Sequence, residues 1–179
     1  MIFNKTKING LFVIEPEIRA DLRGSFNRAF DEAWKIFGKK GFKIVQASRS
    51  FNKRKGTLRG MHFQKSPMQE NKIVQCIRGS IHDVAVDLRK KSKTYGKWFA
   101  VKLTDENKKI LFVPRGFAHG FQSLTDNCEV LYFMSDSYSP EHASGARWDD
   151  PFLKIKWPIK NPILSEKDKC WQLVKAERR

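Results

Sequence analysis

Short segments in which apolar and polar residues alternate recur along most of the chain and predict β-strands. The segment 80–88 is the clearest, because its residues divide into two faces: His82, Val84, Val86 and Leu88 on one, and Ile81, Asp83, Ala85 and Asp87 on the other. Further strands are predicted at 72–77, 98–103, 110–113 and 129–135, with Gly, Pro, Asn or Asp in the turns between them. Many short strands at this spacing predict an all-β sandwich or barrel.

Two segments carry helical signals instead. Phe30, Ala33, Trp34 and Phe37 recur at helical spacing, and Gly38 follows as a stop, which predicts a helix that ends there. Near the end of the chain, Ser165 is followed three residues later by an acid, Asp168. This capping-box pattern predicts the start of a short helix.

Length and composition define the class of protein. The 179 residues have a mass of 20.9 kDa and contain no repeat, linker or break in composition, so we expect one domain over 1–179. A hydrophobic content of 40% argues against disorder. No apolar run approaches the ~20 residues that span a bilayer. The start of the chain has no small-residue cleavage site. Three cysteines without CxxC spacing are typical of reduced thiols, so we expect a cytoplasmic protein.

The net charge of +16 is compatible with several kinds of partner, namely nucleic acid, an anionic membrane surface or an acidic small molecule. Many of the lysines fall in predicted turns, where a solvated surface explains them equally well. A basic module that binds nucleic acid therefore stays an alternative supported by charge alone. Because the chain has no aromatic–basic RNA motif, zinc knuckle or recognition-helix pattern, we expect neither a nucleic-acid nor a membrane partner.

The four histidines are the main candidates for chemistry: His62, His82, His119 and His142. His62 lies in a glycine-flanked predicted strand. His119 ends a PxGxxH pattern that begins at Pro114 and resembles the second motif of the cupin superfamily. Most cupins bind a metal with an additional HxH pair, but the corresponding stretch here holds only His82, which shares its face with valines and is expected to be packed. We therefore predict no catalytic metal.

A more specific resemblance extends over most of the chain, from about Gly10 to Asp168. Its motifs are RGMHFQ at 59–64, KIV at 72–74, GSIHDVAVDLR at 79–89, SKTYG at 92–96, GFAHGF at 116–121, Tyr132, Tyr138, WDDP at 148–151, IKWP at 155–158 and LSEKD at 164–168. In order and spacing they resemble the dTDP-4-dehydrorhamnose 3,5-epimerase family.

The resemblance implies a cupin-type double-stranded β-helix, or jelly roll, with a few short peripheral helices, a homodimer, and no metal or other cofactor. The family inverts C5 and C3 of dTDP-4-dehydro-6-deoxyglucose on the way to dTDP-L-rhamnose. The implied catalytic residues are His62 as base, Asp168 as its partner, Tyr132 as the acid on the opposite face and Lys72 near the keto oxygen. The implied binding residues are Arg23 and Arg59 for the pyrophosphate, Phe26 and Gln46 for the nucleotide, and His119 and Tyr138 for the sugar.

The residue types suit this reaction. A ketone at C4 acidifies the hydrogens on C3 and C5, and a histidine, oriented by a buried carboxylate, is a base of suitable strength. An ammonium group beside the oxygen stabilises the enolate, and a phenol donates the proton that completes inversion. The alternatives are purely structural: Asp168 as a helix cap only, Tyr132 as a packed strand residue and Lys72 as a surface lysine.

Two positions depart from the family pattern in the expected nucleotide pocket. Arg28 stands where an acid is common, and Ser48 stands where Asn is common. The sequence therefore leaves open which nucleotide and which keto-sugar are bound, and whether C3, C5 or both are inverted. A ketoisomerase on the same kind of substrate is a further alternative, against which the combination of His62, Asp168 and Tyr132 argues.

Overall fold

The computed structural model describes residues 1–37 and 41–175 and contains mainly β-strands. The strands are β1 (Ile2–Lys5), β2 (Phe12–Glu15), β3 (Arg19–Asp21), β4 (Gly24–Phe26), β5 (Gln46–Asn52), β6 (Leu58–Gln64), β7 (Lys72–Arg78), β8 (Ser80–Asp87), β9 (Trp98–Thr104), β10 (Ile110–Val113), β11 (Phe117–Ser123), β12 (Cys128–Met134) and β13 (Ala143–Gly145). The helical elements are a 3₁₀ turn (Lys35–Phe37) and α1 (Glu166–Lys169).

Two antiparallel sheets form the body of the protein. One has the strand order β1-β2-β10-β7-β12-β5, and the other has the order β13-β6-β11-β8-β9. Strands that are distant in sequence are neighbours in both sheets, as in β10 beside β7 and β11 beside β6. A separate hairpin of β3 and β4 projects from this body. The fold is a cupin-type jelly roll, which confirms the fold class predicted from the sequence.

The main core lies between the two sheets, where alternate residues of each strand meet. From β8, Ile81 and Ala85 enter this core. On the opposite face of β8, Val84 and Val86 pack in a second cluster with Trp157. Both faces of β8 are therefore buried, and the two faces predicted from the alternation are confirmed.

His82 lies on the outer face of β8, as the alternation predicted. Its ring meets that of Trp157 edge to face, with the ring centroids 6.0 Å apart. Burial lowers the pKa of His82, while the charge of Asp83 and a backbone hydrogen bond at Lys156 oppose this in part. The imidazole is therefore neutral at pH 7, as expected of a packed histidine.

The helix predicted around Trp34 is wrong. The chain forms turns and a 3₁₀ turn at Lys35–Phe37, and the predicted stop at Gly38 lies outside the described residues. Phe30 and Trp34 instead pack their rings with Phe37, in a cluster that covers the outer face of the six-stranded sheet. The helical spacing therefore came from aromatic side chains that share one packing surface without a helix between them.

The predicted C-terminal helix is confirmed. It is the single turn α1, and the Ser165 side chain caps it by accepting a hydrogen bond from the Asp168 backbone N–H. Over residues 1–37 and 41–175, no helix has the length and apolar character that crossing a bilayer requires.

Candidate active site

An open pocket of about 380 Å³ lies against β5, β6, β7 and β12 and is bounded on one side by β13 and α1. It gathers residues from distant parts of the chain, from Gln46 to Trp171. Seven of the ten predicted site residues line it: Gln46, Arg59, His62, Lys72, Tyr132, Tyr138 and Asp168. Arg23, Phe26 and His119 lie outside it.

His62 of β6 and Asp168 of α1 form a close pair at the wall of the pocket. His62 Nε2 lies 2.5 Å from Asp168 Oδ1. The Asp168 side chain is 6% exposed and the His62 side chain is 43% exposed, so the carboxylate is buried behind an accessible imidazole. Because Asp168 is an acceptor, we assign the imidazole proton to Nε2. The lone pair is then on Nδ1, which accepts no hydrogen bond from the described residues.

The carboxylate of Asp168 is held in its charged form. Burial by itself raises its pKa, but hydrogen bonds and the charge of His62 lower it below the ordinary value of 3.8, and Trp171 and Ser165 add further hydrogen bonds. An ionised carboxylate behind the ring fixes its tautomer and stabilises the imidazolium that forms when Nδ1 takes up a proton.

A close approach of two strands positions His62. A Cβ atom at Gly60 would lie 2.6 Å from Gly120 Cα on β11, and Gly60 has a φ of +136°, where only glycine is unstrained. Both glycines of the pair are therefore required for β6 to run this close to β11. His62 follows two residues later, opposite His119 of β11.

Tyr132 and Lys72 enter the pocket from the opposing sheet. Tyr132 is on β12 and Lys72 begins β7, both in the six-stranded sheet, whereas His62 belongs to the five-stranded sheet. Tyr132 packs against the core between the sheets. Burial raises the pKa of its phenol above 10.0, and the charge of Arg59 offsets this only in part, so Tyr132 is protonated at neutral pH.

Lys72 is paired with Glu70, a residue that the sequence analysis missed. Lys72 Nζ lies 2.9 Å from Glu70 Oε1, and the two side chains are 14% and 7% exposed. The second carboxylate oxygen of Glu70 is buried without a hydrogen-bond partner among the described residues. Lys72 is therefore a buried, oriented ammonium group in the wall of the pocket, which rules out the surface-lysine alternative.

Three further predicted residues surround the mouth of the pocket. Arg59 is oriented by Asn52, whose Oδ1 accepts from Arg59 Nε over 2.8 Å. Gln46 donates to the Ser48 hydroxyl over 3.3 Å and accepts from the backbone N–H of Tyr138 over 2.9 Å. Ser48, one of the two departures from the family pattern, therefore does lie in the pocket, beside Gln46.

The three remaining predicted residues have other surroundings. His119 is buried behind His62, with its Nε2 2.7 Å from Asp83 Oδ1. Arg23 and Phe26 lie on the β3–β4 hairpin, where the Arg23 side chain is 90% exposed and Phe26 is 66% exposed. Arg28, the other departure, pairs with Asp31 over 2.8 Å, away from the pocket.

Trp171 is a further pocket residue that the sequence analysis did not predict. It follows α1, lines the pocket and donates its indole N–H to Asp168 Oδ1 over 3.1 Å. Its position three residues after Asp168 is the only sequence signal, and aromatic residues at this spacing are common in packed helices. Over the described ranges, no group of three or more His, Cys, Asp or Glu side chains is placed to hold a metal ion.

A jelly roll with a histidine–carboxylate pair facing a tyrosine and a lysine from the other sheet defines a class, the cupin-type epimerases that act by proton transfer. Comparisons with known proteins specify the family. The family model described as dTDP-4-dehydrorhamnose 3,5-epimerase matches residues 5–176. The dTDP-4-dehydrorhamnose 3,5-epimerase of Methanothermobacter thermautotrophicus is 49% identical over 175 residues, which are 95% of this chain and 92% of that protein.

Solved structures give the same result. The dTDP-4-dehydrorhamnose 3,5-epimerase of Bacillus anthracis with TDP and PPi bound has a TM-score of 0.91 and 38% identity, covering 97% of this chain and 99% of that one. The dTDP-6-deoxy-D-glucose-3,5-epimerase of Legionella pneumophila in complex with dTDP-4-keto-L-rhamnose has a TM-score of 0.88 and 38% identity, with coverages of 96% and 92%. The chain belongs to the dTDP-4-dehydrorhamnose 3,5-epimerase family.

Proposed function

We propose that this protein inverts C5 and C3 of dTDP-4-dehydro-6-deoxy-D-glucose and so produces dTDP-4-dehydro-L-rhamnose. The observation that carries the proposal is the placement of a base and an acid on opposing sheets, with His62 and Asp168 on one side of the pocket and Tyr132 on the other. Inversion needs this arrangement, because the proton leaves one face of the carbon and another arrives on the opposite face.

In the first step, His62 Nδ1 removes the proton from C5. The electrons of the C–H bond form a C4–C5 double bond, and those of the C4 carbonyl move to its oxygen. Asp168 stabilises the imidazolium that results, because it is ionised and in contact with Nε2.

Lys72 stabilises the enolate. Its ammonium group is nearly buried and held by Glu70, so it places a fixed positive charge in the wall of the pocket. An electrostatic interaction of this kind is worth several kcal/mol, on the order of 3 for one preorganised donor, which closes part of the gap between the acidity of the C–H bond and that of an imidazolium.

Tyr132 completes the inversion. Its phenol is protonated at neutral pH and donates its proton to C5 from the opposite face, which restores the ketone. Solvent then returns a proton to the phenolate and takes one from His62. The same sequence at C3 gives the doubly inverted product.

The nucleotide part of the substrate is assigned to the open side of the pocket. Arg59 supplies a forked, positively charged donor for the diphosphate, and Gln46, Ser48 and Tyr138 lie beside it. The bound TDP and PPi of the Bacillus anthracis relative support a site of this kind.

We also propose that the protein is a cytoplasmic homodimer in which the hairpin of one subunit completes the pocket of the other. Arg23 and Phe26 lie outside the pocket of their own subunit, on a hairpin whose tip residue Leu22 is fully exposed. An exposed apolar tip next to an arginine is suited to contact with a second subunit and an anionic ligand. The cytoplasmic location is supported by the free thiols of all three cysteines.

An NMR assay in deuterated water with dTDP-4-dehydro-6-deoxy-D-glucose tests the reaction. We expect deuterium at both C5 and C3 and conversion to the rhamno configuration. If deuterium enters at one carbon only, the protein is a single epimerase that acts at that carbon. Absence of label at both carbons contradicts the substrate assignment.

A further inference from the structure

Trp171 contacts both members of the His62–Asp168 pair. Its indole N–H donates over 3.1 Å to Asp168 Oδ1, the same oxygen that lies 2.5 Å from His62 Nε2. The indole also meets the imidazole edge to face, with ring centroids 6.2 Å apart and an interplanar angle of 70°. The relative position of base and carboxylate therefore depends on this one side chain as well as on their mutual hydrogen bond.

The Trp171 ring is held in place from its other side by β13. A Cβ atom at Gly145 would overlap the ring, so the indole lies directly against the backbone of this strand. Gly145 is the register partner of His62 in the neighbouring strand β6. The ammonium group of Lys167 lies 5.3 Å from the ring centroid and adds a cation–π contact. Trp171 thus connects the strand next to the base with the helix that carries its partner.

The segment after Trp171 is fixed to the barrel as well. The backbone N–H of Arg147 donates to Gln172 O over 3.2 Å, and the backbone N–H of Val174 donates to Asp150 Oδ2 over 2.6 Å. Because α1 is a single turn, its own backbone hydrogen bonds are too few to hold it in position. These anchors and Trp171 therefore determine where Asp168 lies.

We propose that Trp171 is a positioning residue of the proton-transfer site. Its N–H directs Asp168 Oδ1 towards His62 Nε2, and its ring holds the imidazole so that Nδ1 points to the sugar carbon. Direct proton transfer by the indole is not part of this role, because an indole N–H neither gives nor accepts a proton at neutral pH. The inference rests on the proposed reaction at His62.

The hydrogen bond from Trp171 also affects the charge of Asp168. Burial raises the pKa of this carboxyl, and the hydrogen bond from Trp171 is one of the interactions that lower it, after the contacts with His62. Without it, the Asp168–His62 pair holds its proton more strongly, so the acid limb of kcat/KM moves to higher pH. The other charged or titratable side chains that line the pocket are Arg59, Glu70, Lys72, Tyr132, Asp136, Tyr138 and Lys167, and all of them remain in the variants below.

The test is the variant Trp171→Phe, which keeps an aromatic ring at this position, although a smaller one, and removes the N–H donor. We expect kcat to fall about tenfold, the size of effect that loss of one hydrogen bond to a charged group produces, with KM little changed. Deuterium exchange at C5 falls by the same factor, and the acid limb of the pH profile moves to higher pH. The matched control is Trp157→Phe, which removes an indole N–H bonded to the Trp148 carbonyl outside the pocket.

The variant Gly145→Ala is a second test that keeps the indole itself. The added methyl group displaces the ring from its place against β13, and we expect the same shift of the acid limb. If Trp171→Phe does not fold, this variant still tests whether Trp171 positions the His62–Asp168 pair. An unchanged kcat and pH profile in a folded Trp171→Phe variant, or an equal change in Trp157→Phe, overturns the positioning role. Failure of the wild-type protein to exchange any proton contradicts instead the proposed function on which the role depends.

Discussion

At the scale of single residues, the two nitrogens of His62 have different tasks. Nε2 is occupied by Asp168, so Nδ1 is the nitrogen that meets the substrate in the proposed mechanism. Tyr132 is complementary, because burial raises its pKa and keeps its proton available. The environment of each residue therefore determines its protonation. The buried carboxylate of Asp168 fixes the tautomer of His62, and the apolar core keeps Tyr132 protonated.

Replacement of Tyr132 by Phe separates abstraction from inversion. His62, Asp168 and Lys72 are retained, so we expect proton exchange at C5 to continue while formation of the inverted product falls by at least about a hundredfold, the usual contribution of a general acid. NMR in deuterated water measures both quantities on one sample. If the variant retains both exchange and inversion, the proposed role of Tyr132 is contradicted. The variant His62→Ala serves as the reference in which exchange itself is abolished.

At the scale of elements, the end of β8 is fixed by a buried charge. Asp87 is fully buried and accepts hydrogen bonds from Arg89, Ser92 and Thr94. Burial raises the pKa of Asp87, but these hydrogen bonds outweigh it and hold the pKa below 3.8. Arg89 in turn donates to Asn9 O over 2.9 Å. The carboxylate thus ties the loop after β8 to the N-terminal segment.

The variant Asp87→Asn tests this network. We expect the free energy of unfolding at pH 7 to fall by about 3 kcal/mol, because Arg89 loses its buried partner. Since the folded-state pKa is depressed, the stabilisation by Asp87 is present above about pH 4 and is lost as the pH falls through the lower folded value. Urea unfolding at pH 7 and below pH 4 measures both effects. Asp149→Asn, at an exposed ion pair with Arg147, is the control and leaves the midpoint unchanged. Equal midpoints for wild type and Asp87→Asn at pH 7 contradict the prediction.

At the scale of the whole molecule, the proposed homodimer is what would bring the hairpin residues Arg23 and Phe26 to a pocket, namely that of the second subunit. Two inactive variants, His62→Ala and Arg23→Ala, test this when both chains are produced together with different tags. If the hairpin acts across the dimer, one of the two pockets in each mixed dimer has both His62 and Arg23 intact. Because about half of the dimers are mixed, about a quarter of the wild-type activity returns. If Arg23 acts within its own subunit, the mixed dimers stay inactive, and that result contradicts the exchange of hairpins.

The sequence by itself determined the strands, the class of fold and the family. Alternation with period two is a local property, so β7 to β10 and β12 were predicted nearly to the residue, and the cap at Ser165 was evident from two positions. Motifs in fixed order predicted His62, Lys72, Tyr132 and Asp168 as site residues, and all four line the pocket. The spacing of Phe30 and Trp34 led to the wrong prediction of a helix, because the same period arises from rings that pack together without a helix.

Only the tertiary structure decided which of these residues meet. Glu70 carries no local signal and Trp171 carries only its spacing from Asp168, and they become pocket residues because of their contacts with Lys72 and Asp168. The same holds for Arg23, which the sequence assigned to the site and the fold places outside the pocket of its own subunit. Strand pairing between distant segments is set by packing of the two sheets as a whole. Contacts that depend on this pairing are therefore absent from any local pattern in the chain.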